Sequence, residues 1–191
     1  MEEIGRGAEA IVTLEDGKVR KWRREKGYRV RELDERIRRE RTVRESRIIS
    51  EARRCGVPTP IIFDISGNEL VMDYIEGPKL KDVIDETLAE LVGELVGRLH
   101  RCGIVHGDLT TSNMILHDDR IYLIDFGLAF HDSSIESQGV DLHVFFQTLK
   151  STQDEPLALI EAFKKGYFRI YSKADKVLNR ESEIEARGRY L

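Results

Sequence analysis

The order of apolar and polar positions divides the chain into a strand-rich first part and a helix-rich second part. Ile4 precedes a glycine-rich stretch, Gly5-Arg6-Gly7-Ala8-Glu9-Ala10. The runs Ile11-Val12-Thr13-Leu14 and Lys18-Val19-Arg20-Lys21-Trp22 flank Glu15-Asp16-Gly17, and an Asp-Gly pair between two such runs predicts a hairpin. Over residues 30–54 the spacing is helical. Ile37, Arg41, Glu45, Ile48 and Ala52 share one stripe, and Gly56 and Pro58 stop the helix. Residues 60–65 and Leu70-Val71-Met72 read as strands around the turn Ser66-Gly67-Asn68.

Gly77-Pro78 then breaks the pattern. It sets the expected boundary between an N-terminal lobe, 1–75, and a C-terminal lobe, 76–191. Leu88, Leu91, Val92, Leu95 and Leu99 make the apolar face of a helix that ends at Gly103. Two short strands follow, Met114-Ile115-Leu116 and Ile121-Tyr122-Leu123-Ile124, joined by His117-Asp118-Asp119-Arg120. Helical spacing returns near 140–148, 157–168 and 173–186. The predicted class is α+β: a β-rich lobe with one long helix, then a truncated, mainly α lobe.

Composition narrows the possibilities. A chain of 191 residues buries enough surface to fold without metal or disulfide, and 40% hydrophobic residues is too many for disorder. Cys55 and Cys102 are too few for a disulfide framework, and no Cys/His cluster suggests zinc. No apolar run approaches the 18 or so residues of a membrane span, and Met1-Glu2-Glu3 does not begin a signal peptide. The expectation is a soluble, cytoplasmic protein of a reducing compartment, with no membrane contact.

Charge adds an asymmetry. The chain carries a net −4, yet residues 20–54 hold 15 Lys/Arg against 7 Asp/Glu. Such a segment suits an anionic partner, with Arg36, Arg38 and Arg39 as the expected contacts. It equally suits a solvated helix laced with i,i+4 ion pairs, because Glu32, Glu35, Glu40, Glu45 and Glu51 interleave with the arginines.

The polar residues around the two short strands of the second half carry the chemistry. Before them stands His106-Gly107-Asp108-Leu109-Thr110-Thr111-Ser112-Asn113, and after them Asp125-Phe126-Gly127. These resemble the catalytic loop and metal-binding motif of protein kinases, with HGD in place of HRD. Phosphoryl transfer needs a carboxylate beside the accepting hydroxyl and hard oxygen ligands for Mg²⁺. On this resemblance Asp108 orients and deprotonates the acceptor, or a water, while Asn113 and Asp125 ligate the metal. Taken singly these residues are ordinary turn formers; their order and spacing make the signal.

The first half supplies matching parts. The stretch Ile4, Gly5, Arg6, Gly7, Ala8, Glu9 and Ala10 is the candidate phosphate loop, a weak motif alone. Lys21 shares a strand face with Val19 and is the candidate phosphate lysine, ahead of Lys18 and Lys26. Glu45 is its expected partner, being a carboxylate on the apolar stripe, ahead of Glu40 and Glu51. Met72-Asp73-Tyr74-Ile75 resembles a kinase hinge, where Met72, Asp73 and Ile75 meet the adenine of ATP.

The resemblance sharpens on the departures. No Ala-Pro-Glu follows Asp125-Phe126-Gly127, only 13 residues separate Gly127 from Asp141, and Thr110 stands where protein kinases usually carry a lysine. The strings 106–113, Lys26-Gly27-Tyr28-Arg29, Arg41-Thr42-Val43-Arg44-Glu45, Gly139-Val140-Asp141-Leu142 and Arg187-Gly188-Arg189 together resemble the atypical serine/threonine kinases of the KEOPS complex, the PRPK family, related to RIO kinases. That resemblance implies ATP and Mg²⁺ as cofactors, autophosphorylation and ATPase activity. It also implies support for threonylcarbamoyl-adenosine modification of tRNA.

Its implied partners are a TsaD/OSGEP-type tRNA-modifying subunit, a small regulatory subunit, and tRNA. The tRNA contact falls on the basic helix and on the tail Arg187-Gly188-Arg189-Tyr190-Leu191. Asp141 matches the aspartate that holds the catalytic loop. A catalytically silent kinase-like scaffold and a small-molecule phosphotransferase of the aminoglycoside type are the competing readings.

Overall fold

β-branched residues and tight polar turns build the first half of the chain. The computed structural model describes residues 2–7 and 9–188. Its first five strands are β1 (Glu2–Arg6), β2 (Ala10–Glu15), β3 (Lys18–Arg23), β4 (Ile62–Ser66) and β5 (Glu69–Asp73). They form one antiparallel sheet in the order β1-β2-β3-β5-β4. The β2–β3 turn takes left-handed backbone at both Asp16 (φ 51°) and Gly17 (φ 71°), which is what an Asp-Gly hairpin supplies.

Between β3 and β4 runs α1 (Arg31–Arg54), with Glu32 and Asp34 in its first turn and Arg53 and Arg54 in its last, matched to the helix dipole. Its buried side changes character along its length. Ile48, Ile49 and Ala52 are apolar, whereas Asp34, Arg38, Thr42 and Glu45 make the other half ionic and polar. Arg38, expected to face a partner, is instead interior: its Nε donates to Asp34 Oδ2 at 2.7 Å and its Nη1 to the Arg23 carbonyl. A guanidinium four residues after an aspartate pairs with it and sinks with it, which net charge alone does not foretell.

The second half contains α2 (Glu86–Arg101), β6 (Ile104–Val105), β7 (Met114–His117), β8 (Arg120–Leu123), β9 (Phe130–His131), α3 (Ile135–Thr152), α4 (Pro156–Ile170) and α5 (Ala174–Gly188). β7 pairs with β8, and β6 with β9, both antiparallel. The two-residue strands β6 and β9 leave no periodicity to read. α3 starts ahead of the expected residue 140 because Ser134 caps it, its Oγ accepting from the Ser137 N–H at 3.2 Å.

Leu91, expected on the inner face of α2, is 39% exposed. The contact with α4 runs through Gly93 and Gly97, because α2 and α4 cross at glycine. A Cβ on Gly93 would collide with the Phe163 carbonyl oxygen, and one on Gly166 with that of Glu90. Around this crossing Phe145, Phe163 and Tyr167 stack with centroids 5.0 Å and 5.7 Å apart. The core is continuous from Ile48 and Leu70 through Leu80 and Phe126 to Phe163. Cys55 and Cys102, too few for a framework, join as one disulfide between the C-terminal ends of α1 and α2.

Candidate active site

A cavity of about 400 Å³ opens between the sheet and the β7–β8 hairpin. Its roof includes Ile4, Gly5 and Gly7, its inner wall Val19, Lys21 and Met72, its rim Asp73, Tyr74 and Ile75, and its floor Asn113, Ile115, Ile124 and Asp125. The sheet thus brings the glycine-rich stretch, Lys21 and the residues after β5 to one opening. Of the remaining residues in that stretch, Arg6 ends β1, Ala10 begins β2 as a buried residue, and Ala8 lies outside the described residues. The Glu9 carboxylate turns away from the cavity to Arg41, whose Nη1 donates at 2.6 Å.

Lys21 is the hub. Its Nζ donates to Glu45 Oε1 and to Asp125 Oδ1, both at 2.6 Å, and the residue is 6% exposed. Burial, the largest influence, acts to lower the ammonium's pKa, but the two carboxylates overcome it and hold it above the ordinary lysine value. Asp125 shows the mirror image. Burial acts to raise its pKa, and Lys21 with the Gly127 N–H holds it below the ordinary carboxylate value. Both groups therefore stay ionised at neutral pH. Asp125 sits at φ 59°, a left-handed backbone that aspartate adopts more readily than most residues other than glycine.

The loop before β7 is fixed from beneath. Asp141, on α3, accepts from the His106 N–H at 2.8 Å and the Gly107 N–H at 2.9 Å, and lies 3.2 Å from His100 Nε2. Burial acts to raise the Asp141 pKa, and the His100 contact and the loop amides together hold it low. Gly107 takes φ 77°, and a Cβ there would meet the Leu128 carbonyl, so only glycine fits between the loop and the segment after Phe126. The His106 ring packs on Phe126 at 4.7 Å, and its Nε2 lies 3.2 Å from the Ile124 carbonyl.

Asn113 joins the two chemical motifs. Its Nδ2 donates to Asp108 Oδ2 at 2.9 Å and to the Asp108 carbonyl at 3.0 Å. Its own carbonyl accepts from the Ile124 N–H at 2.9 Å, which sets the residue beside Asp125. With the amide nitrogen occupied, the Asn113 amide oxygen is the atom left for a cation. Among the described residues no group of three or more His, Cys, Asp or Glu could hold a metal by itself. Two oxygen donors completed by a ligand's phosphates is the arrangement Mg²⁺ commonly uses, so the residues fit that ion.

A model of the RIO domain matches residues 12–140. The chain belongs to the RIO domain family. A "probable bifunctional tRNA threonylcarbamoyladenosine biosynthesis protein" of Methanocorpusculum labreanum is 55% identical over 190 residues, covering all of this chain and 36% of the relative. The chain thus spans about a third of the length of such bifunctional relatives. A "probable serine/threonine-protein kinase BUD32 homolog" of Archaeoglobus fulgidus is 45% identical over 185 residues, 97% of this chain and 94% of that protein. Within the RIO domain family the chain accordingly goes with the Bud32/PRPK type.

Among solved structures, the Chaetomium thermophilum Rio2 kinase in an ADP/Mg²⁺-phosphoaspartate complex superposes with a TM-score of 0.62 at 16% identity, over 98% of this chain and 70% of that one. An amicoumacin kinase with AMP-PNP and Ca²⁺ gives 0.63 at 14% identity, over 91% and 75%. These two establish the kinase-like fold. Among the described residues, no helix of this RIO-domain chain is long and apolar enough to cross a membrane.

Three charged residues of the RIO-domain chain escaped the sequence reading. Arg23 holds Glu45 by its second oxygen at 2.6 Å. The alternation of β3 places Arg23 on the same face as Lys21, and that was the available signal. Arg44 donates to the Ala129 carbonyl at 2.8 Å, fastening α1 to the segment after Phe126, and Lys79 lines the cavity while donating to the Ser112 carbonyl. No sequence pattern marks either.

Proposed function

We propose that the chain is an ATP- and Mg²⁺-dependent atypical serine/threonine protein kinase and ATPase, the kinase subunit of a KEOPS-type complex that supports threonylcarbamoyl-adenosine modification of tRNA. The observation that carries the reading is the convergence on one cavity of Lys21, Asp125 and Asn113, with Glu45 behind the lysine and Asp108 bonded to the asparagine. A bound magnesium nucleotide supplies the transferable phosphoryl group and the cation that offsets its charge.

The chain's own residues do the rest. Gly5 and Gly7 put no side chain between the roof of the cavity and phosphate oxygens, and Met72, Asp73 and Ile75 offer an apolar side chain and backbone groups to the adenine. Lys21, kept charged by its neighbours, holds phosphate oxygens while Glu45 fixes the lysine's direction. Asn113 and Asp125 give oxygen ligands to the metal. Asp108 accepts the proton of the attacking hydroxyl or water at its carboxylate and is aimed by Asn113. Asp141 keeps the loop in place from below. The proposed lobe division at 75/76 sets Lys21 and Glu45 on one side of the cavity and Asn113 and Asp125 on the other.

The names of the relatives support the tRNA-modifying role, and the fusion lengths support a partner domain that acts with this one. A TsaD/OSGEP-type subunit, a small regulatory subunit and tRNA are the proposed partners, and the cytoplasm the proposed location. The proposed tRNA contact uses Arg36, Arg39 and Arg47 of α1. Arg187 and Gly188 of the expected basic tail lie in α5, and Arg189, Tyr190 and Leu191 lie outside the described residues.

The test is ATP hydrolysis by the purified chain, alone and with the tRNA-modifying partner and unmodified tRNA. Turnover that disappears in a folded Asp108→Ala variant is the expected result. A wild-type chain that binds its partner yet never turns over ATP would establish the silent scaffold instead.

A further inference from the structure

Glu45 is a buried carboxylate with two cations. Lys21 Nζ takes its Oε1 and Arg23 Nη2 its Oε2, each at 2.6 Å. The Arg23 guanidinium is itself buried, and its Nη1 lies 3.6 Å from Glu9 Oε2 in the glycine-rich stretch. The same Glu9 oxygen accepts from Arg41 on α1. Burial acts to raise the Glu9 pKa, and Arg41 and Arg23 more than reverse it, keeping the carboxylate ionised. The backbone beside it is tied as well: the Arg24 N–H donates to the Glu9 carbonyl at 3.0 Å, and the Gly7 N–H to the Ala10 carbonyl at 2.9 Å.

The second cation has a physical purpose. Lys21 is divided between Glu45 and Asp125, and a phosphate ligand would claim part of it again. Were Lys21 the sole cation on Glu45, each such claim would weaken the compensation of a charge in low dielectric, which is costly. Arg23 removes that dependence. An arginine suits the place because its rigid planar fork directs separate N–H groups at carboxylates lying in different directions, whereas a lysine offers one point charge.

We propose that Arg23 is a positioning residue: it anchors Glu45 independently of Lys21 and, through Glu9, couples the glycine-rich stretch to α1. Its consequence for nucleotide affinity rests on the function proposed above, but the coupling itself is a property of the nucleotide-free chain.

Arg23→Lys and Glu9→Gln in the full-length protein test it. In the absence of nucleotide, hydrogen exchange at the Gly7 and Arg24 amides accelerates by about tenfold in both variants, the equivalent of one hydrogen bond lost. Arg23→Lys retains the melting temperature, since the lysine still compensates Glu45. Combining the two substitutions goes no further than Glu9→Gln alone, because losing the Glu9 charge already cuts its link to Arg23 along with that to Arg41. With ATP present, KM rises about tenfold while kcat stays within about threefold, the split expected of lost positioning rather than lost chemistry. Unchanged exchange in the folded Arg23→Lys variant, or additive effects in the double variant, would overturn the proposal. A wild-type chain that binds no nucleotide would overturn the proposed function alone, because the exchange measurement is made without one.

Discussion

Lys21 and Asp125, 104 residues apart in the chain, meet with Nζ 2.6 Å from Oδ1. The contact crosses from the sheet to the turn after β8, so one ion pair bridges the two sides of the cavity. It also holds the carboxylate that the proposed function assigns to the metal.

Removing that carboxylate separates metal binding from nucleotide binding. Asp125→Ala takes away one of two candidate metal ligands but leaves Lys21 paired to Glu45. Titration calorimetry should then show nucleotide affinity falling tenfold or more in Mg²⁺, and by less than about threefold in EDTA, because the metal route contributes only when the ion is present. Equal losses in both buffers would remove Asp125 from the metal role. Lys21 is raised and Asp125 lowered from their ordinary values, so wild-type affinity should not change with pH through these two groups between about 6 and 9.

Asp141 makes the clearest pH prediction. Its folded pKa lies below the ordinary aspartate value, so its stabilisation is fully present above that value, about 3.9, and is lost as pH falls through the folded one. Asp141→Asn keeps the shape but removes the charge that gathers the His106 and Gly107 amides. Denaturant melts should show a loss of about 3 kcal/mol at pH 7 that shrinks below pH 4, where the wild type loses the same contribution. A difference that stays constant down to pH 2 would mean the charge is not what holds the loop.

The solvent face of α1 divides its cations into spent and available ones. Arg38 is interior and Arg44 is bonded to Ala129, whereas no ion-pair partner is present for Arg39 or Arg47 among the described residues. Arg36, Arg39, Arg44 and Arg47 line a groove of about 760 Å³. Charge reversal at Arg39 and Arg47 should weaken tRNA binding and lower its slope against log salt by roughly one to two, leaving the melting temperature unchanged. Arg38→Glu should instead lower the melting temperature, since it sets a third carboxylate beside Asp34 and Glu25. Equal RNA affinity for all the variants would return α1 to a solvated helix.

How much of this was legible depends on the range of the interaction. The hairpin at Asp16-Gly17 and the stop of α1 at Gly56 are set by a few neighbouring residues, so composition and period reveal them. The Lys21–Glu45 pair follows from two local facts, a strand face and a carboxylate on an otherwise apolar stripe. The division of Lys21 with Asp125, the relay from Arg23 to Glu9, and the bond from Arg44 to Ala129 join segments far apart in sequence, and nothing local encodes them. The inner face of α2 was misread at Leu91 for a related reason. A helix that crosses another at glycine turns its small residues inward, and hydropathy assigns glycine to neither face.

That crossing yields the last prediction. Gly166 of α4 lies against the Glu90 carbonyl of α2, with no room for a methyl group between the two backbones. Gly166→Ala must part the helices, and the rings of Phe163 and Tyr167 on either side of the glycine then lose contact with the core. Alanine favours an isolated helix over glycine by about 1 kcal/mol, so propensity alone would predict a gain. Overpacking against backbone outweighs it and costs about 2–3 kcal/mol net, read as a lower midpoint in urea with an unchanged slope. Gly188→Ala, at the end of α5 where an added methyl group would meet no heavy atom within 4 Å, should show no such loss. A stabilised Gly166→Ala would mean that the two helices do not approach at these glycines, and the register of the C-terminal half would have to be redrawn.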